Sequence, residues 1–273
     1  MATLCYMEGA PKIAYDREGK GPLVVFMHGI GGNRGNWTEQ VAYFGRRYCA
    51  VAWDARGYGD SDDSPATLKF TDYGDDLRRL LDHLKADKAH VVGLSMGGMI
   101  AQDFHAHYAD RIATLALVDT NLGMAMQSEE FKRDFLARRL APLERGLTPK
   151  DTATENAKAL VSPHTPDELV AKLRASLSAL RVEPYKQAIH AILTIDFRAS
   201  NPSIKVPTLV IVGEDDRLTT PEQADLLAAT IPGARKVVIE RAGHLSNLEQ
   251  AGHFNAALSA FLDRNATLAS QVE

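Results

Sequence analysis

At 273 residues, with 45% hydrophobic and 24% charged side chains, the chain is long for one domain and short for two, which suits a single core with an insertion. A net charge of −4 with no basic run argues against nucleic-acid or anionic-membrane partners, and no window approaches the roughly 20 apolar residues of a membrane span. The start, MATLCYMEGAPKIAY, lacks the cationic head and apolar centre of a signal peptide, and only two cysteines occur, so a cytoplasmic protein without disulfides is expected.

Residues 4–6 and 12–16 read as short strands joined by a turn at Gly9-Ala10-Pro11. Residues 23–27, LVVFM, form the continuous apolar run of a central parallel strand and end in the glycine-dense loop His28-Gly29-Ile30-Gly31-Gly32-Asn33. A helix over 37–44 and a strand over 48–53 follow, closing in Asp54-Ala55-Arg56-Gly57-Tyr58-Gly59-Asp60-Ser61. Thr71 opens a helix to about Lys85, with Tyr73, Leu77, Leu80, Leu81 and Leu84 at helical spacing. His90-Val91-Val92 is a buried strand, 96–109 a helix, and 112–118 another buried strand ending at Asp119. This alternation predicts an α/β fold with a doubly wound, mostly parallel sheet.

From residue 121 to 202 the alternation stops. Three helical stretches, at 128–141, 149–161 and 166–193, follow without a strand between them. Thr165-Pro166-Asp167-Glu168 has the pattern of an N-cap, a first-turn proline and a capping-box glutamate. Such an insertion predicts an all-helical cap, 121–202, over a core built from 1–120 and 203–273. The sheet resumes at 208–212, followed by Gly213-Glu214-Asp215-Asp216-Arg217, a helix capped by Thr220-Pro221 and a last strand at 236–239. Gly243-His244, a terminal helix near 250–262 and a tail from Asn265, expected to fray, complete the chain.

The chemistry centres on Ser95, in the G-x-S-x-G stretch Gly93-Leu94-Ser95-Met96-Gly97, where a strand turns into a helix within two residues. That turn strains the serine backbone and crowds the positions two either side, where glycine fits. It lifts the hydroxyl clear of the sheet and brings the Met96 N–H to the same space. A serine hydroxyl needs a base, and His244, after the last strand, is the candidate. The imidazole needs a carboxylate to fix its tautomer. Asp216 is preferred because it lies past the strand end, with Asp119 and Asp215 as the other candidates. A second oxyanion donor is expected from the Ile30 N–H, while His28 is expected to brace its loop. Met124, Met126, Phe135 and Tyr185 are candidates for an apolar substrate wall, whereas Trp37 and Trp53 read as core. His105 and His107, two apart on a helix, face different directions, and no metal or cofactor is expected.

Together His28-Gly29, Asp54-x-Arg56-Gly57-x-Gly59-x-Ser61, Gly93-Leu94-Ser95-Met96-Gly97-Gly98, Gly213-x-x-Asp216 and Gly243-His244 resemble the α/β-hydrolase superfamily, over residues 11 to 263. Within it, GLSMGG and GHLSNLEQ resemble the 3-oxoadipate enol-lactonase group and neighbouring carboxylesterases. The resemblance implies a Ser95–Asp216–His244 triad, an oxyanion hole from Ile30 and Met96, and hydrolysis of a small-molecule ester or lactone. Enol-lactonases act on an anionic acid; Arg133, Arg138, Arg139 and Arg198 are available to hold a carboxylate, but solvated helix faces are the expected role of these residues, and none is singled out for the carboxylate. Two alternatives remain on the same fold: C–C bond hydrolysis of an aromatic ring-fission product, and a low-turnover ligand receptor.

Overall fold

The computed structural model describes residues 1–125 and 127–273. Strands β1 (Thr3–Met7), β2 (Ile13–Glu18), β3 (Gly21–Met27), β4 (Cys49–Trp53), β5 (Ala89–Leu94), β6 (Ile112–Val118), β7 (Thr208–Gly213) and β8 (Arg235–Ile239) form one sheet in the order β1-β2-β4-β3-β5-β6-β7-β8. The β1–β2 and β2–β4 pairings are antiparallel and the others in that order are parallel.

Strand period decides which side chain meets which helix. Leu23, Val25 and Met27 of β3 point to the face covered by α2 (Thr71–His83), α3 (Met96–Tyr108) and α9 (Pro221–Thr230). Val24 and Phe26 point to the opposite face, under α1 (Thr38–Phe44) and α11 (Ala251–Asp263). Both faces of the central strands are therefore buried, which is why they read as unbroken apolar runs rather than alternating ones. Four of the five apolar positions at helical spacing lie on α2 and the fifth, Leu84, just past its end; all five are buried, and Trp37 and Trp53 lie fully in the core.

Between β6 and β7 come α4 (Glu129–Arg139), α5 (Ala141–Glu144), α6 (Pro149–Leu160), α7 (Asp167–Ser178) and α8 (Val182–Ile192), with no strand among the described residues. The expected single helix over 166–193 is two helices: the chain breaks at Ala179 and restarts from Arg181 in an extended conformation. Thr165 does not cap α7. Pro166 takes the N-cap position, and the Thr165 hydroxyl instead donates to Glu249 at 2.5 Å.

The tail is also ordered rather than frayed. β9 (Gln271–Val272) pairs antiparallel with the start of β3, Val272 is buried, and the Ser270 hydroxyl accepts the N–H groups of Asp87 and Lys88. Those donors lie ahead of β5, where no neighbouring strand serves them, and they give the last residues partners that composition does not reveal.

The D-x-R-G-x-G-x-S loop after β4 is scaffolding. Asp54 accepts the Arg34 and Asp60 N–H groups at 2.7 and 2.9 Å and pairs with the Arg34 guanidinium. Arg56 makes a bidentate pair with buried Asp76 on α2, at 2.7 and 2.9 Å. A side chain at Gly59, where φ is +49°, would run into the Asp54 carboxylate.

Candidate active site

Ser95 sits between β5 and α3 with φ +53° and ψ −114°, a left-handed conformation that a non-glycine residue holds only where its surroundings force it. Three backbone contacts do so. Its N–H donates to the Val118 carbonyl at 2.8 Å, and its own carbonyl accepts from the Met99 N–H at 3.1 Å and the Thr120 hydroxyl at 2.7 Å. A Cβ on Gly93 would strike the Gly97 carbonyl, and one on Gly97 would strike the Met27 carbonyl, so the spacing of the glycines follows from the sharpness of the turn.

His244 follows β8 on the loop leading into the short helix α10 (Ser246–Glu249). Its Nδ1 lies 2.9 Å from the Asp216 Oδ2 and 3.2 Å from the Thr219 hydroxyl, with all three side chains buried. Asp216 is itself held in place: Oδ1 accepts the Leu218 and Thr219 N–H groups at 2.8 and 3.0 Å, and Oδ2 accepts the Thr219 hydroxyl at 2.6 Å. With a carboxylate facing Nδ1, that nitrogen carries the imidazole proton, and Nε2 is left as an acceptor. Burial works against a charged His244, but the Asp216 charge and hydrogen bond outweigh it. The imidazole pKa therefore lies above its usual value, with Asp119 adding to the rise and Arg139 opposing it. Burial likewise disfavours an ionised Asp216, and the His244 charge and hydrogen bond with the Thr219 donors overturn that, holding its pKa below the usual value.

Asp119 makes no hydrogen bond to His244. Its Oδ1 accepts the Gly213 N–H at 2.8 Å and its Oδ2 accepts the Ser246 N–H and hydroxyl at 3.0 and 2.7 Å, stitching the ends of β6 and β7 to the histidine loop. Burial first, and then the Asp216 charge, push its pKa up to about 8.

Ser95, His244 and Thr219 line one mostly apolar cavity. Its floor is the strand-end loops, including Gly29, Ile30 and Gly31; its roof comes from α4, α6 and α7. The turn after β3 closes with a Gly32 N–H to Gly29 carbonyl bond at 3.0 Å, with Gly31 left-handed at φ +81°, and the Ile30 N–H has no backbone partner among the described residues. Met96 opens α3, so its N–H belongs to the first turn, where no helix carbonyl can take it. His28 ties this loop to the next: its Nε2 accepts the Ala55 N–H at 3.0 Å, and burial lowers its pKa.

Of the predicted wall residues, Met124 and Phe135 line the cavity. Met126 lies outside the described residues. Tyr185 is placed elsewhere: it packs with Leu140 and Ile189 behind Arg139, on a separate smaller cavity, because its face of α8 looks toward α4 and α5. Among the four arginines, Arg139 alone lines the main cavity, and it is the only permanently charged side chain among the described residues that do. Arg133 and Arg138 are exposed, and Arg198 is paired with Asp196 at 2.6 Å.

Sequence reasoning missed Thr219 and Glu249. The first had a signal, since an acid followed three residues later by threonine suits a side-chain-closed turn. The second had none, because two of its partners, Ser162 and Thr165, lie 87 and 84 residues away.

A family model described as the alpha/beta hydrolase fold matches residues 22–251. The 3-oxoadipate enol-lactonase 2 of Acinetobacter baylyi is 31% identical over 246 residues, 89% of this chain and 89% of that protein. Among solved structures, the enol-lactonase from Burkholderia xenovorans LB400 superposes with a TM-score of 0.83 at 28% identity, covering 95% of this chain and 100% of that one. A thermophilic esterase from Thermogutta terrifontis, solved with malate bound, superposes with a TM-score of 0.87 at 28% identity over 97% and 99% of the two chains.

Proposed function

The chain belongs to the α/β-hydrolase family, in the group of enol-lactonases and esterases, and from that premise we propose that it hydrolyses a carboxylic ester or lactone of a small, partly apolar substrate through an acyl-serine. The observation that carries this reading is the Asp216–His244 hydrogen bond opening onto the same cavity as strained Ser95. His244 Nε2 takes the Ser95 proton as Oγ attacks the carbonyl carbon, and the Asp216 carboxylate stabilises the imidazolium that forms. The negative charge on the carbonyl oxygen is met by the Ile30 and Met96 N–H groups, each worth about 3–4 kcal/mol in the transition state. The imidazolium returns its proton to the leaving oxygen, and water, activated by the same base, releases the acid.

Residues 121–202 act as the cap of this site. Arg139, set in an otherwise uncharged cavity wall, takes an acid group on the substrate; Phe131 and Phe135 beside it, with rings 6.4 Å apart and stacked, flank the substrate's apolar part. An enol-lactonase acts on such an acid, which supports this assignment. The test compares a neutral p-nitrophenyl ester with one bearing a terminal carboxylate. Ser95→Ala abolishes turnover of both. Arg139→Gln reduces kcat/KM on the acid ester about tenfold or more while sparing the neutral one. Activity remaining in the serine variant removes the proposed reaction; equal losses on both esters remove the arginine assignment alone.

A further inference from the structure

The three consecutive N–H groups around His244 all end on one short stretch of chain or on the side chain that grips it. The His244 N–H donates to the Leu160 carbonyl at 2.8 Å, at the end of α6. The Gly243 and Leu245 N–H groups both donate to Glu249 Oε1, at 3.0 and 3.2 Å. The other oxygen of that carboxylate, Oε2, accepts the Ser162 N–H at 2.8 Å and the Thr165 hydroxyl at 2.5 Å. Contact between the two segments is backbone against backbone: a Cβ on Gly243 would lie 2.6 Å from the Ser162 nitrogen and 2.8 Å from the Val161 carbonyl carbon. Ser162 is buried.

We propose that Glu249 is a positioning residue for His244, and that through it the link between α6 and α7 fixes the seat of the imidazole. This rests on the acyl-serine reading above. The carboxylate acts as a four-way acceptor. One oxygen straightens the peptide on each side of the histidine, and the other anchors that peptide to the cap. A neutral side chain of the same shape cannot replace it, because an amide carries one acceptor oxygen and one donor nitrogen, and every group that faces Glu249 here is a donor. Leu160 closes the circuit, since its carbonyl holds the histidine N–H and the residue also lines the cavity. Seating of the cap and placement of the base are therefore one event.

The test uses Glu249→Gln and Thr165→Val in the full chain, the second breaking only the cap end of the strap and changing no charge. Readouts are ester kcat and KM, the pH profile of kcat/KM, thermal unfolding, and the rate at which a fluorophosphonate labels Ser95. Glu249→Gln should lower kcat and the labelling rate by about 10- to 100-fold, the cost of misplacing a reacting group by about 1 Å, with KM little changed. Thr165→Val should move kcat in the same direction by less. Both should shift the acid limb of the pH profile downward, because a displaced imidazole loses some of the support of Asp216; Asp119 and, from α4, Arg139 are the other titratable or charged groups that act on it. The double variant should be no worse than Glu249→Gln alone, as one strap cannot be broken twice. Labelling of Glu249→Gln at the wild-type rate, an unmoved pH profile, or losses that multiply in the double variant would each overturn the proposal. Failure of the wild type to label at Ser95 would sink the acyl-serine reading, and this proposal with it.

Discussion

Asp216→Asn isolates the role of the acid with almost no change in shape. The direction of the effect follows from how Asp216 is held. Two backbone donors, the Leu218 and Thr219 N–H groups, face Oδ1, so an amide at this position must keep its oxygen there and turn its nitrogen toward the His244 Nδ1. Facing a donor, Nδ1 becomes the acceptor, and the imidazole proton moves to Nε2, the nitrogen that takes the Ser95 proton in the proposed reaction. The base is then in the wrong tautomer, and the imidazolium loses its counter-charge. A loss of about 10⁴ in kcat is expected, or about 5.4 kcal/mol at 1.36 kcal/mol per tenfold. Without the Asp216 charge the His244 pKa also falls, so whatever activity remains should persist to lower pH than in the wild type. Steady-state turnover of p-nitrophenyl acetate from pH 5 to 9 measures both effects. A variant within tenfold of wild type, with its acid limb unmoved, would refute the reasoning, and a large loss in Asp119→Asn instead would hand the acid's role to that residue.

Gly97→Ala should destabilise by about 3 kcal/mol or more, because the added methyl meets the carbonyl of Met27, the last residue of central strand β3, and that of His28 just after it. Thermal melts should fall by roughly 6–12 °C, and a change under 2 °C would contradict the tightness of the elbow. Asp119, with its pKa raised to about 8 in the folded chain, holds a proton that the unfolded chain releases near pH 4, so its contribution to stability is full below that and lost as pH rises toward 8. The Tm advantage of wild type over Asp119→Asn should therefore shrink between pH 5 and pH 8; parallel curves would contradict the raised pKa.

What the sequence disclosed was whatever is written locally. The buried parallel strands announced themselves because two covered faces demand unbroken apolar runs, as in LVVFM at 23–27. Gly93 and Gly97 marked the elbow because a steric demand of one turn falls on residues two apart from the serine. His244 and Asp216 could be placed because each ends a strand and the topology sends strand ends to one edge. Residues whose meaning depends on distant partners stayed dark. Thr165 carried every mark of an N-cap, yet its hydroxyl is claimed by Glu249, 84 residues on. Residues 271–272 looked like a loose end, because their pairing with Gly21 and Pro22 spans nearly the whole chain. Tyr185 and Arg139 differed only in which side of a helix meets the opening, and a helix of mixed polarity such as α4 leaves that undetermined.

The insertion leaves and rejoins the sheet at neighbouring strands, β6 and β7, whose ends are already bonded through the Asp119 N–H to the Ile211 carbonyl at 2.8 Å. By that geometry alone, residues 121–202 look like a cassette that a protein engineer could graft for another to change substrate range. On the positioning role proposed for Glu249, they are not freely exchangeable. A transplanted lid that brings no carbonyl to the amide of residue 244, and no donors to the carboxylate of residue 249, would yield a folded chimera with a misaligned base, however well its pocket suited the new ester.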